Sequence, residues 1–219
     1  MKMRTTQPPR LGSGRPLAPF ALGRDTRGGP LAIEVYRPES HQGRLLDMLG
    51  RARARPSDFH YAFPGELHPA SDAFHLAQRV ESHRELSDAV VVRVPRARAS
   101  ASTTVDISPA ARATWHVVGW ADLSPTTQRA ADIGIMFAVE HPSAGMAALH
   151  GIDLLARNGT LLRRIFAEID RPGPAHPLAP VLADAGFDVV FSSPSMGARF
   201  GKSLTAATYR PWPLDAYGS

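Results

Sequence analysis

Residues 132–147 read D-I-G-I-M-F-A-V-E-H-P-S-A-G-M-A: an apolar run, a break at His141-Pro142, then small residues opening a second apolar stretch. That order is the pattern of a strand, a loop and a helix that begins just after Gly145. A helix start carries unpaired N–H groups and the positive end of the macrodipole. A loop of small residues there can therefore hold a phosphate or pyrophosphate. A Gly at such a turn also serves a purely steric purpose, and both readings stand.

Other chemistry-bearing patterns are weaker. Gly197-Ala-Arg-Phe-Gly201-Lys202-Ser203 resembles a Walker-type loop but places three residues between its glycines where four are needed. It reads as a hairpin turn. His60, His68 and His75, with Asp58, Glu66 and Asp72, are metal-ligating types without the paired-His spacing of a helix-borne zinc site, so no metal is expected. With no G-x-S-x-G elbow, nothing supports a serine hydrolase. The chain has no Cys, which excludes thiolate nucleophiles, disulfides and Cys-ligated zinc or iron–sulfur centres.

The elements that position these residues come from a chain of 219 residues, 43% hydrophobic and 21% charged, enough for one core and not two. Its net charge of +5 is local: residues 1–29 carry six basic residues against Asp25, and the remainder carries 19 of each sign. Only two cations are Lys, aromatics make up 7%, and Arg is not interleaved with them, so nucleic acid is not the favoured partner. A nucleic-acid role would run through the basic arm and show a steep salt dependence. No run reaches the ~18 apolar residues of a membrane helix. The first residues lack an apolar signal region, so a cytoplasmic protein is expected, with no membrane partner.

Residues 1–29, rich in Pro, Gly and Arg, read as a flexible basic arm, and residues 30–219 as one domain. Alternation predicts a strand over 31–36. Ser40 caps a predicted helix over 41–53, residues 56–69 form a loop, and Ser71 caps a helix over 72–83. Strands follow over 86–94, 114–123 and 131–139, the first two separated by a polar excursion at 96–112. His116 and Trp120 are core or cleft-lining positions on the second. A helix over 146–157 ends at Asn158-Gly159, a strand covers 161–169, and a short helix over 178–185 stops at Gly186. Segments 188–192 and 204–209 close the chain as a hairpin. The order β α α β β β α β α β β describes a mixed sheet with helices on its faces.

Over residues 31–209 this order and several short motifs resemble the GNAT superfamily of acyl-CoA-dependent N-acetyltransferases, above all the branch with bacterial protein-lysine acetyltransferases. The opening strand of such proteins ends in Arg-Pro and an acidic residue, matched by Tyr36-Arg37-Pro38-Glu39. Their loop Q/R-x-x-G-x-G/A opens the central helix; here it is Pro142-Ser143-Ala144-Gly145-Met146-Ala147. The Gly-Phe that ends their last helix matches Gly186-Phe187.

The resemblance implies an α/β fold whose mixed, mostly antiparallel sheet splays at its central strands, with helices on both faces. Acetyl-CoA is the implied co-substrate, lying in the splay, and the implied activity is direct transfer of its acetyl group to a primary amine of a peptide, protein or small molecule. The pyrophosphate would rest on the amides of Ser143, Ala144, Gly145, Met146 and Ala147. The pantetheine would pair like a strand with Phe137, Ala138 and Val139. In the lysine-acetylating branch a Glu thirteen residues before the loop's Gly is the base; that position is Asp132 here. Asp132 also fits a solvated strand-edge residue. Glu168 is the reserve base, and Tyr61 and Phe63 lie where relatives build the acceptor wall. Glu140, next to the loop, is expected to face solvent.

The chain departs from the family pattern in four places. Pro142 replaces Gln/Arg, Ala144 stands where many members have Arg, residues 173–176 lack the usual Asn, and Leu182 replaces a frequent Tyr acid. These departures keep open a second reading, a GNAT-like CoA-binding or regulatory protein without turnover. A homodimer through an open sheet edge fits either.

Overall fold

The structure, a computed structural model, describes residues 21–24, 29–63, 89–96, 109–157, 161–169, 176–194 and 197–205. Strand β1 (Ala21–Arg24) pairs antiparallel with β2 (Pro30–Val35), so the sheet begins inside the segment expected to be an arm. The rest of 1–28 lies outside the described residues. Helix α1 (Pro38–Ala54) starts earlier than Ser40 suggests, because Pro38 supplies a first helical residue whose missing N–H is not needed there. Arg37 is the extended cap residue, and its N–H donates to Nδ1 of His41 at 2.7 Å.

A 3-10 turn (Pro56–Asp58) leads into β3 (Phe59–Ala62), a strand where a loop was expected. The helix expected at 72–83 and most of the excursion at 96–112 lie outside the described residues. Then come β4 (Ala89–Val94), the one-turn α2 (Pro109–Arg112), β5 (His116–Thr127) and β6 (Ala130–Ala138). Helix α3 (Pro142–Arg157) begins four residues before the expected start, again with a Pro at its first position. The remaining elements are β7 (Arg164–Ile169), α4 (Leu178–Asp184), β8 (Asp188–Ser193) and β9 (Gly197–Ser203). Gly186 follows α4 at φ 84°, the left-handed end its sequence predicts. The segment read as a turn is therefore a strand, and most of the segment expected as a strand at 204–209 lies outside the described residues.

Among the described residues the strands form one sheet in the order β1-β2-β4-β5-β6-β7-β9-β8, with β3 also on β6. Every pairing is antiparallel except β6 with β7. Helix α3 lies on one face: a Cβ at Gly151 would come within 2.8 Å of Ile33, and one at Gly119 within 3.4 Å of Ala144. Successive strand residues point to opposite faces, so Glu34 faces the other way, where it meets His41 of α1. The helices thus cover both faces. No helix among the described residues is long and apolar enough to cross a membrane.

Charge is buried on each side. Glu34 accepts from Nε2 of His41 at 2.7 Å and from Arg112 at 2.9 Å, with Arg93 3.6 Å away. Because Nδ1 of His41 already accepts the Arg37 N–H, the ring is the neutral Nε2–H tautomer. Arg93, 1% exposed, also donates to the carbonyls of Ser40 and Arg112, tying β4 to α1 and α2. On the other face Lys202 sits 3.4 Å from Asp153, which also pairs with Arg157.

Burial raises the Glu34 carboxyl, but the bonds from His41 and Arg112 and the charge of Arg93 outweigh it and hold it below its ordinary value. A depressed carboxyl stabilises the fold above its unfolded-state value, and that contribution is lost as pH falls through the folded-state value. Replacing Glu34→Gln strands two cations in the interior and is expected to cost about 3 kcal/mol in denaturant unfolding at neutral pH. The deficit should shrink as the medium is acidified below the carboxylate range.

Candidate active site

β6 and β7 run side by side only over Ala130–Asp132 and Arg164–Phe166, after which the ladder ends and the strands part. At this fork stand both carboxylates singled out from the sequence. Asp132 accepts from Nη2 of Arg199 at 2.8 Å, and Nη1 of the same guanidinium lies 3.1 Å from Glu168. The arrangement follows from register. Asp132 opposes Phe166, Glu168 is two residues on, and Arg199 of β9 opposes Glu168, which puts all four on one face. The guanidinium stacks 4.5 Å from the Phe166 ring centre.

Arg199 was not anticipated, because its segment read as a turn. Its signal was the alternation of Ala198, Phe200 and Lys202, all buried, against Arg199 and Gly201. Two carboxylates on one guanidinium leave a net charge of −1 in a cluster that water reaches. Each ion pair there is worth little to stability, but the surplus charge attracts an ammonium group.

The other side of the fork is filled. β3 lies antiparallel along the edge of β6 that β7 leaves, pairing Phe59, His60, Tyr61 and Ala62 with Ala138, Phe137, Met136 and Ile135. The Val139 N–H donates to the Asp58 carbonyl at 2.9 Å. Antiparallel pairs alternate, so His60 with Phe137 and Ala62 with Ile135 are the hydrogen-bonded pairs. The backbone expected to receive a pantetheine is therefore already paired by the chain itself.

Tyr61 opposes Met136 and so shares the face of Asp132, whereas Phe63, 3% exposed, belongs to the core and offers no wall to a ligand. The His60 ring packs edge-on against Phe137 at 5.3 Å. Burial, with the charge of His176, lowers its pKa. Among the described residues no group of three or more His, Asp or Glu side chains could hold a metal ion. His68, His75, Glu66 and Asp72 lie outside them.

At the start of α3 the small residues serve packing. Ala144 and Ala147 have no exposure, and the Ala144 amide donates to the His141 carbonyl at 2.9 Å. A Cβ on Gly145 would fall 2.6 Å from the Phe137 ring, so the steric reading of this glycine holds. Ser143 and Met146 keep partial exposure, and Glu140 faces solvent. Beside Val139 and Glu140 opens a cavity of about 690 Å³ that Arg51 and Arg55 also line. Leu182 is fully buried.

The sequence matches no family model. No curated protein sequence matches it either. Solved structures do. The GNAT domain of a PAT from S. lividans superposes with a TM-score of 0.55 at 16% identity, covering 86% of this chain and 98% of that domain. This chain has a GNAT fold. The Campylobacter jejuni N-acetyltransferase PseH, solved with acetyl coenzyme A, matches 79% of the chain with 99% of its own, at 9% identity and a TM-score of 0.48. An aminoglycoside 6′-N-acetyltransferase from Enterococcus faecium matches 82% of the chain with 98% of its own, at 12% identity and a TM-score of 0.47.

Within this GNAT fold the contact of Gly145 with Phe137 locks the central helix to the central strand. Gly145→Ala forces a methyl into the ring and is expected to cost about 1–3 kcal/mol by urea unfolding. A loss of stability within error of zero would mean the ring has room to turn aside.

Proposed function

We propose that this protein is an N-acyltransferase that moves an acetyl group from acetyl-CoA to a primary amine by direct attack. The carrying observation is the fork between β6 and β7, with Asp132 and Glu168 gathered on Arg199 at its root. The donor supplies an acyl group activated as a thioester; the rest of the chemistry falls to the chain. The cluster's net negative charge draws in the acceptor as an ammonium ion. Asp132, released by Arg199 to meet it, takes the proton so that the nitrogen lone pair is free to attack. Glu168 keeps the guanidinium as Asp132 lets go. Tyr61, on the same face, borders the acceptor's approach. With the apolar Leu182 at the family's acid position, the departing thiolate leaves unaided by a protein acid.

The donor's phosphates would meet the Ser143 and Met146 end of α3. Arg51 and Arg55, across the adjoining cavity, supply the positive charge that Pro142 and Ala144 do not. The acceptor is a peptide, protein or small-molecule amine, and the compartment is the cytoplasm. A homodimer would form along β8, the sheet edge on which Val189, Val190 and Phe191 are exposed. The strand pairing of β3 along the donor's expected edge favours a second reading, a GNAT-like regulatory protein without turnover.

Calorimetric titration with acetyl-CoA, beside Ser143→Glu, tests the donor site, and acetylation of an amine separates the two readings. A carboxylate in the first turn favours the helix and repels phosphate, so the variant stays folded and loses the donor. Saturable binding by the wild type alone supports the transferase; no binding at millimolar donor contradicts it. Among amines then found to be acetylated, Asp132→Asn is expected to lower kcat/KM by roughly 10²–10⁴-fold while donor affinity holds.

A further inference from the structure

A strand that lies along a buried edge and a strand-like ligand that needs the same edge exclude one another. β3 stands in that relation to the acyl donor. It covers Ile135–Ala138 of β6, and Asp58 takes the Val139 N–H just beyond. The cavity beside Val139 is walled by Asp58 and Phe59, so the same segment closes the end of the fork. We propose that β3 is a resident substitute for the donor's pantetheine arm, and that acetyl-CoA binds by displacing it from β6. The proposal rests on the acetyl-CoA reading given above.

Three features make β3 suited to leave. It is four residues long, and among the described residues it pairs with β6 alone. His60 and Tyr61 are only half-buried, although Phe59, Ala62 and Phe63 are anchored in the core. The 3-10 turn at Pro56–Asp58 separates it from α1, so it can swing without unwinding that helix. The exchange also conserves bonds. The pantetheine arm carries two amides, which can restore to β6 the hydrogen bonds that His60 and Ala62 give up, so no buried N–H or C=O is left unpaired. The donor's apparent dissociation constant is then its intrinsic value divided by the fraction of molecules in which β3 is already off, which makes the strand a brake on the enzyme.

The chain has no Cys, so a reversible lock can be built without interference. Tyr61 and Met136 form a non-hydrogen-bonded pair, whose Cα atoms lie about 4.5 Å apart in antiparallel sheets. That separation falls in the disulfide range of about 4.4–6.8 Å. The Tyr61→Cys, Met136→Cys double variant is titrated with acetyl-CoA oxidised and reduced, with circular dichroism confirming that both forms keep the fold. His60→Pro, which deletes the N–H given to Phe137, is titrated alongside.

Oxidation should weaken binding at least about tenfold and reduction restore it, with His60→Pro binding about tenfold tighter than wild type. Equal affinity of the oxidised and reduced forms overturns the displacement and leaves the donor reading standing. Absence of binding by every form, His60→Pro included, sinks the donor reading and this proposal with it. If His60→Pro does not fold, the lock alone decides.

Discussion

A buried N–H or C=O left without a partner costs about as much as a lost hydrogen bond, so an interior strand needs both of its edges covered. β6 is the strand on which this constraint bears hardest. β5 satisfies one edge over almost its whole length, while β7 satisfies the other only as far as Asp132. Beyond that point the sheet must either open to a ligand or recruit another strand. Here β3 is recruited, and most of what distinguishes this molecule follows from how that edge is filled. The helix on one face, the acidic cluster on the other and the cavity at the strand's end all take their positions from β6.

The buried charges serve the same strand from a distance. Glu34 with Arg93 and Arg112 fixes β2 and β4 to α1, which presents Arg51 to the end of the fork. Lys202 with Asp153 fixes β9 to α3, and β9 in turn sets Arg199 against Asp132 and Glu168. Two interior ion clusters thus hold the two halves of a site whose own ion pairs are half-exposed and weak. Such an arrangement lets the site exchange partners while the frame stays fixed.

Much of this frame was legible in local pattern. Alternating or continuous apolar residues located β2, β4, β5, β6 and β7, and Gly186 located the end of α4. The α3 helix was legible but not its start, because Ser-Ala-Gly reads as loop chemistry, while in the fold Ala144 and Gly145 answer a packing need. The two features that matter most at the site were hidden for a common reason. β3 is four residues in a Pro-flanked segment, and its partner lies more than seventy residues away, so only long-range pairing makes it a strand. β9 carries two glycines and a Lys that suggest a turn. Gly201 is there because Phe166 and Val190 lie within 3.1 Å of where its Cβ would be, and Lys202 is there to meet Asp153. Composition signals a turn wherever it is blind to such neighbours.

The central claim is that the edge of β6 changes partners when the donor binds. Residue-resolved amide hydrogen exchange, with and without saturating acetyl-CoA, tests it most directly. The account predicts that the His60 and Ala62 amides lose protection on binding, while Phe137 stays protected because a new partner replaces the old. Protection of His60 and Ala62 that persists unchanged with the donor bound would contradict it.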